Sequence, residues 1–566
     1  MKTHCKMVVA IGVAVITLGS VYGITEISHI DALRDHAGYV NGEQVSLLGY
    51  YSDTPGVGGG VFYRKTPDIG EILNDNGGTI VKVTNQNIYW IRAQKNYLRV
   101  EDFGARANND DLYAVSNKTA FQASLRCASD CGGGTVNVNG MLGAYVLPEC
   151  TGFYELSNVA LRGNKTTLKL LAGAETYSWL IIKHAGGIDG GGGTFAVSGF
   201  ILDGNGIACP DFNCDHALMV IDHSLGGVNI SDMTVKNSAA KGLAVTCGTD
   251  LNGGTGGSVN VRFDKITAYS CKTQAVMTDS TGTGPCKKIT LSNIIVKDTQ
   301  HAGIAINDGS EMVSLANSIA DVNNTAWDAI SVRGSKDVSI TNCIGSRGRS
   351  GLRLSALATD DECKNITGSG NLWDSNIQSG VLIIGTENVS ISGDISKNNQ
   401  CGWDGFGITQ AVGIKRANNV TLSSIQAFDD RATILQSHGI RTMAADNVLI
   451  SSPLCHENVL KNISYLATDT KIYVANDGRD GVTRKVKSIN VTVPGGGNCS
   501  IDIPWDSAFI DSNFMFSGAA IVEGSTGKSL RLHHFSGFNT SISRAVIIND
   551  DIQQRQGILH IYAERN

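Results

Sequence analysis

Proline is scarce in this chain, at 8 of 566 residues. Few positions therefore lack a backbone donor, and extended ladders can run with little interruption. Charged residues make up 17% and the net charge is −6, so no broad basic field exists to attract nucleic acid. Helical periodicity is nearly absent. Beyond residue 23 no apolar run approaches a membrane span. Cysteines number 14, but none fall at zinc-site spacing. Glycine, by contrast, is plentiful at 67 residues, which lets turns visit positive φ.

Lys2 and Lys6 precede an apolar run from Met7 to Leu18, and Val21-Tyr22-Gly23 follows. Residues 1–23 read as an export signal. Its removal takes Cys5 and leaves 13 of the 14 cysteines, so at least one stays unpaired. Cys209 with Cys214, and Cys271 with Cys286, are candidate disulfides in an exported protein. Most of the others are expected as small apolar core residues.

The stretch from Val228 to Val448 repeats one pattern nine times. Short apolar/polar/apolar runs recur at Val228, Val259, Ile289, Val313, Val338, Ile366, Val389, Val420 and Val448, in steps of 23 to 31 residues. Alternation over so few residues has the period of a strand. A drifting repeat of this length marks stacked units that bury their apolar faces only against neighbours. A second strand column is expected at Gly242, Ala275, Gly303, Ala329, Gly351, Gly380, Gly413 and Gly439. The expected fold is all-β: a parallel β-helix over residues 97–468, a small N-terminal domain over 24–96 and a C-terminal β-sandwich over 469–566. After about residue 468 the rhythm changes, and Lys471-Ile-Tyr-Val, Ser488-Ile-Asn-Val and Ala545-Val-Ile-Ile are spaced like antiparallel strands.

The N-terminal region carries Gly58-Gly-Gly-Val-Phe-Tyr, Asn74-Asp-Asn-Gly-Gly-Thr, Trp90-Ile-Arg92 and Val100-Glu-Asp-Phe-Gly-Ala, then a helical run from Thr119. This series resembles the entry region of phage tailspikes and capsule depolymerases of the pectate-lyase-like right-handed β-helix superfamily. The resemblance covers residues 28–135 by motif and the rest by style of repeat. It departs in two places. Arg106-Ala-Asn-Asn-Asp-Asp replaces the glycine- and Asp-Thr-rich stretch usual after DFGA, and tailspikes do not normally carry export signals. The resemblance implies a polysaccharide substrate, assembly as a homotrimer, and a place either on a virion or, with the signal removed, outside the cell and off the membrane.

Chemistry is expected on the second column. Alternation turns Asn307, Arg333, Arg353, Leu382, Lys415 and Arg441 outward, and a stripe of four cations suits an extended anion such as an acidic polysaccharide. The alternative is a solvated face. Arg353, as an exposed charge, would contribute little to stability. Trp327-Asp328, Trp373-Asp374 and Trp403-Asp404 are placed just before the column strands. An indole can stack on a sugar ring while the adjacent carboxylate binds hydroxyls or moves a proton. Structurally, each pair also fits an edge-capping Trp beside an Asx turn.

Three readings follow. In β-elimination at a uronic acid, Arg333 or Arg353 holds the sugar carboxylate and Lys415 or Arg441 abstracts the proton; calcium is permitted by the resemblance. In hydrolysis, Asp374 and Asp404 on adjacent coils stand near the retaining separation, and Asp328 and Asp374 near the inverting one. In the third, the β-helix binds glycans without catalysis. The lyase is favoured, because the basic stripe needs an anionic partner.

Overall fold

The computed structural model describes residues 24–565 except 94–97, 141–142, 155, 173–178, 184–192, 207–216, 247–256, 281–283, 324–326, 357–362, 401–403, 411–414, 466–469, 476–484, 494–497, 505–513, 522–530, 537–541 and 549–554. Side chains are described almost entirely before residue 475. The export signal, Trp403 and the Cys209/Cys214 pair lie outside the described residues. The chain divides into two units, 1–147 with 159–164 and 148–158 with 165–566.

In the first unit, Thr25–Ile27 runs parallel to Gln44–Leu47. Antiparallel pairing then continues through Gly60–Lys65, Tyr89–Arg92 and Ile80–Lys82. Ile27, Ile30, Leu33, Val45, Leu47, Phe62, Val81 and Trp90 form its core. The quoted motifs have a common physical cause. The buried Arg92 guanidinium donates to the carbonyls of Gly58 at 3.0 Å, Gly59 at 2.8 Å and Gly78 at 3.1 Å, and lies 3.5 Å from the Asp102 carboxylate. The glycine-rich turn, the Asn-Gly-Gly-Thr turn and the DFGA segment thus converge on one charge, which is neutralised and hydrogen-bonded as burial requires. Gly104 of DFGA has φ +94°, and a Cβ there would meet the Tyr50 ring at 2.6 Å.

A helix from Ala114 to Asp130 packs on the strands Gly134–Val138 and Tyr145–Leu147 through a face that includes Phe121 and Leu125. Gly134–Val138 is itself paired in parallel with the chain from Val159. The first unit therefore continues through the helix to Leu147, past the expected division at residue 96.

The second unit is a stack of parallel coils. One sheet holds Phe195–Asp203, Val228–Ser238, Val261–Cys271 and Lys287–Lys297. From there each coil contributes two shorter strands to that sheet, such as Glu311–Ala316 with Ile319–Asp321 and Lys364–Ser369 with Leu372–Asp374. The break is a left-handed residue: Asn317, Asn342, Gly370, Gly393, Ser424 and Ser452 all have φ of 49–66°, a conformation open mainly to Gly and Asn. The expected core positions Ile289, Val313, Val338, Ile366, Val389, Val420 and Val448 stand in register. One position shifts: Val228 pairs with Val261 rather than Val259, which leaves the inward face unchanged because the slip is two residues.

The second sheet has twelve strands in one column, from Thr151–Tyr154 to Lys461–Tyr465. Leu243, Val276, Ile304, Ile330, Leu352, Val381, Phe406 and Ile440 form one inward row. All eight are essentially inaccessible, and burying each contributes roughly 1.5–3 kcal/mol. Thr470–Ala475, expected as antiparallel, pairs in parallel with Asp446–Ser451 and extends the stack. Beyond it, two three-stranded antiparallel sheets follow, built from strands between Lys485 and Arg565. Cys271 and Cys286 are separate buried thiols, not a disulfide.

Candidate functional site

The outer face of the second sheet carries two rows where a single stripe was expected. One runs Ala305, Ser331, Arg353, Leu382, Gly407, Arg441, and the other Asn307, Arg333, Ser355, Ile384, Thr409. Arg353 and Arg441 therefore share a row, and Arg333 stands in the next. Lys415 is on neither. The column strand of its coil is Asp404–Thr409, and Lys415 follows it in the connection to Asn418–Ser423.

The two rows floor a cleft of about 420 Å³, lined among others by Asn307, Trp327, Asp328, Arg333, Arg349 and Arg353. Five of these were expected from the sequence. Asp328 is the cleft's buried carboxyl, 3% exposed. Burial pushes its pKa above the ordinary range, and the Arg353 guanidinium, 3.7 Å from Oδ2, draws it back. The side chain and backbone N–H of Ser350 meet the Asp328 carboxyl and also oppose the rise in its pKa. Arg353 Nε and Asn307 Oδ1 are buried with no hydrogen-bond partner among the described residues. Such atoms are costly unless a ligand satisfies them.

Trp327 is 40% exposed and stacks on His301, ring centroids 3.5 Å apart. The Gln274 amide donates to His301 Nδ1 at 3.2 Å, which leaves the ring proton on Nε2. Burial, aided by Lys241, lowers the His301 pKa to about 4, so the imidazole is neutral at physiological pH. Arg349 is anchored by Gln378 Oε1, 2.7 Å from its Nε, and its backbone amide donates to the Trp327 carbonyl at 2.7 Å. Sequence reasoning missed His301, Gln274 and Arg349. All three lie in turns just ahead of column strands, where no alternation marks the direction of a side chain.

Trp373 and Asp374 lie elsewhere. Their strand, Leu372–Asp374, belongs to the first sheet. Trp373 is fully buried and donates its indole N–H to Asp394 Oδ2 at 2.9 Å, so it offers no face to a sugar. Asp374 and Asp404 are thus on different sheets, which removes the close carboxylate pair on which the retaining reading rested. Asp404 is buried, and its Oδ1 lies 2.9 Å from His438 Nδ1. Burial raises its pKa, while His438 and Arg441 oppose the rise. Among the described residues, no group of three or more His, Cys, Asp or Glu is placed to hold a metal ion. No described helix is long and apolar enough to cross a membrane.

Residues 26–95 match the phage tail protein small four-stranded beta-sheet domain, and residues 251–413 match the right-handed beta helix region. No curated relative matches the chain significantly. Among solved structures, the enzymatically active domain of tailspike protein 2 of bacteriophage CBA120 is 13% identical, with 94% of this chain and 80% of that one covered and a TM-score of 0.49. The A-module of an Azotobacter vinelandii mannuronan C-5 epimerase is 15% identical over 68% of this chain and 100% of that one, at a TM-score of 0.45. A tailspike of Acinetobacter baumannii bacteriophage Fri1, described as a capsular polysaccharide depolymerase, is 12% identical over 96% and 98%, at 0.36. By these matches and its own strand pairing, the chain carries a phage-tail β-sheet domain at residues 26–95 and a parallel β-helix that takes in the right-handed beta helix region matched at 251–413.

Proposed function

We propose that the cleft binds an acidic polysaccharide and cleaves it by β-elimination at a uronic acid. The observation that carries this reading is the set of three arginines, Arg333, Arg349 and Arg353, around one buried carboxyl, Asp328. Guanidinium groups suit a sugar carboxylate, with which they form short charge-assisted pairs. Trp327 supplies a ring face for stacking.

Arg333 and Arg353 hold the sugar carboxylate and lower the pKa of the adjacent C5 proton. Asp328 takes that proton on a carboxylate oxygen. Burial makes this carboxylate a stronger base than a solvated one. The C5–H electron pair forms the C4–C5 double bond. The C4–O bond breaks, and the leaving oxygen gains a proton from solvent. This role replaces the one expected of Lys415, which is off the column. A two-carboxylate hydrolysis has less support, since Asp328 is the one carboxylate lining this cleft among the described residues.

The phage-tail domain supports a place on a virion surface, and the resemblance supports a homotrimer, for which sedimentation equilibrium is the test. Incubation with acidic capsular polysaccharide tests the chemistry. Ultraviolet absorbance from an unsaturated uronate is the expected product signal. New reducing ends without that absorbance would mean hydrolysis, and binding without either would mean a lectin-like protein.

A further inference from the structure

At the edge of the second sheet, beside the Arg353 row, a line of polar residues steps one strand at a time. Asp328 is followed by Ser350, Ser379, Asp404 and His438, as the ladder bonds Ala329 N to Ser350 O, Gly351 N to Ser379 O and Gly380 N to Asp404 O require. Asp328 lines the cleft, and the Ser379 and Asp404 side chains reach the outer face. A Cβ built on Gly407 would stand 3.4 Å from Asp404 Oδ2, 3.6 Å from Ser379 Oγ and 3.3 Å from Leu382 Cδ1.

Together the two lines hold the same arrangement twice. Asp328 is flanked by Arg353 from the following coil, and Asp404 by Arg441 from the following coil. Three strand steps separate the copies, about 14 Å at ordinary strand spacing. Between the two arginines the row offers only Leu382 and Gly407, neither of them charged. Beside that gap the Ser379 hydroxyl is buried with no hydrogen-bond partner among the described residues. The copies differ in one respect: Asp404 is met by the His438 ring, whereas Asp328 is met by Ser350.

We infer that Asp404, His438 and Arg441 form a second, non-catalytic anion subsite, which selects polysaccharides whose acidic sugar recurs about every third ring along the chain. The inference rests on the proposed function of the Asp328 cleft. A ring in an extended polysaccharide advances by about one strand step, so about three rings span the two arginines. The uncharged gap disfavours a carboxylate at every ring, because Leu382 and Gly407 would desolvate it without pairing it. The Ser379 hydroxyl is placed for the neutral rings between. Arg441, in this assignment, binds the acid and abstracts no proton.

The test uses the full chain and two fragments of a capsular polysaccharide with one uronic acid per three sugars: a single repeat and a double repeat. Calorimetry is expected to give at least about tenfold tighter binding for the double repeat, the scale of one added charge-assisted contact. Arg441→Ala should abolish that gain and leave single-repeat binding unchanged, and Arg441→Lys should keep part of it. A gain that survives Arg441→Ala overturns the inference, as does an oligogalacturonate of equal length binding as tightly as the double repeat. In both cases Arg353→Ala still weakens the single repeat, so the function of the first cleft stands. Failure of both fragments to bind would overturn that function and the subsite with it.

Discussion

Asp328 Oδ2 and Arg353 Nη1 approach to 3.7 Å across one step of the second sheet, the carboxyl almost wholly buried and the guanidinium about 29% exposed. Arg353→Ala should lower cleavage of an acidic polysaccharide at least about tenfold. It should also lower stability by about 1–2 kcal/mol, read from urea unfolding, because a buried carboxyl loses its counter-charge. The loss stays below that of a fully buried pair, since the arginine is partly solvated. On sequence alone Arg353 was expected to be an exposed charge that contributes little to stability. Its buried partner changes that expectation.

Asp328 must be ionised to act as a base, and burial holds its pKa above the ordinary carboxyl range. The acid limb of the rate profile should therefore lie above that range. Arg353→Ala should move it further up, because the opposing charge is gone. An acid limb that moves down in this variant would remove Asp328 from the mechanism. Asp328→Asn should abolish turnover while the protein stays folded.

Asp394 offers a separate test on stability. It is buried in the second unit with hydrogen bonds from Asn371 and Trp373, and burial raises its pKa from 3.8 to about 6. In the unfolded chain it titrates near the ordinary value, so below about pH 4 both states hold the proton and no penalty exists. As pH rises through that window the unfolded state ionises first and stability falls. The full penalty, on the order of 3 kcal/mol, is present above about pH 6. Asp394→Asn should remove this slope from a plot of Tm against pH between 4 and 6.

Trp327 and Trp373 should separate cleanly. Trp327→Ala should weaken oligosaccharide binding and leave Tm nearly unchanged, because the ring is 40% exposed. Trp373→Ala should cost about 3–5 kcal/mol through the cavity it leaves, and it strips a donor from Asp394. Equal losses of stability in the two variants would contradict the placement of both residues.

Much of the fold was legible because inward rows must alternate, and a slip of one residue would expose every apolar side chain. The seven positions from Ile289 to Val448 stand in register for that reason. Tryptophan-aspartate pairs were harder to read. Trp327 stands three residues before the strand at Ile330, whereas Trp373 lies within Leu372–Asp374 and a longer turn separates it from Val381. The dipeptides are alike, and only the length of the following turn tells the sheets apart. Glycine hid the true strand near Lys415: in Asp404-Gly-Phe-Gly-Ile-Thr the outward place at Gly407 carries no side chain, so alternation left no polar trace there. His301 and Arg349 could have been suspected only from their position ahead of strands already identified.

The parallel pairing also fixes how the second unit bears load. Ladder hydrogen bonds run across the strands, and here that direction is the axis along which coils stack. A pull along the stack therefore stretches all the bonds of one step together, in the first sheet and the second alike. Force is shared within a step and passed undiminished from each step to the next, so rupture begins at the step with the fewest bonds. The exposed chain of amides from Asn365 through Asn388 and Asn419 to Asn447 adds one tie to each step it crosses, as does the internal series Asn376, Asn399, Gln436 and Asn458. Both series reinforce the coils around Gly407, the stretch that sets the distance between Arg353 and Arg441.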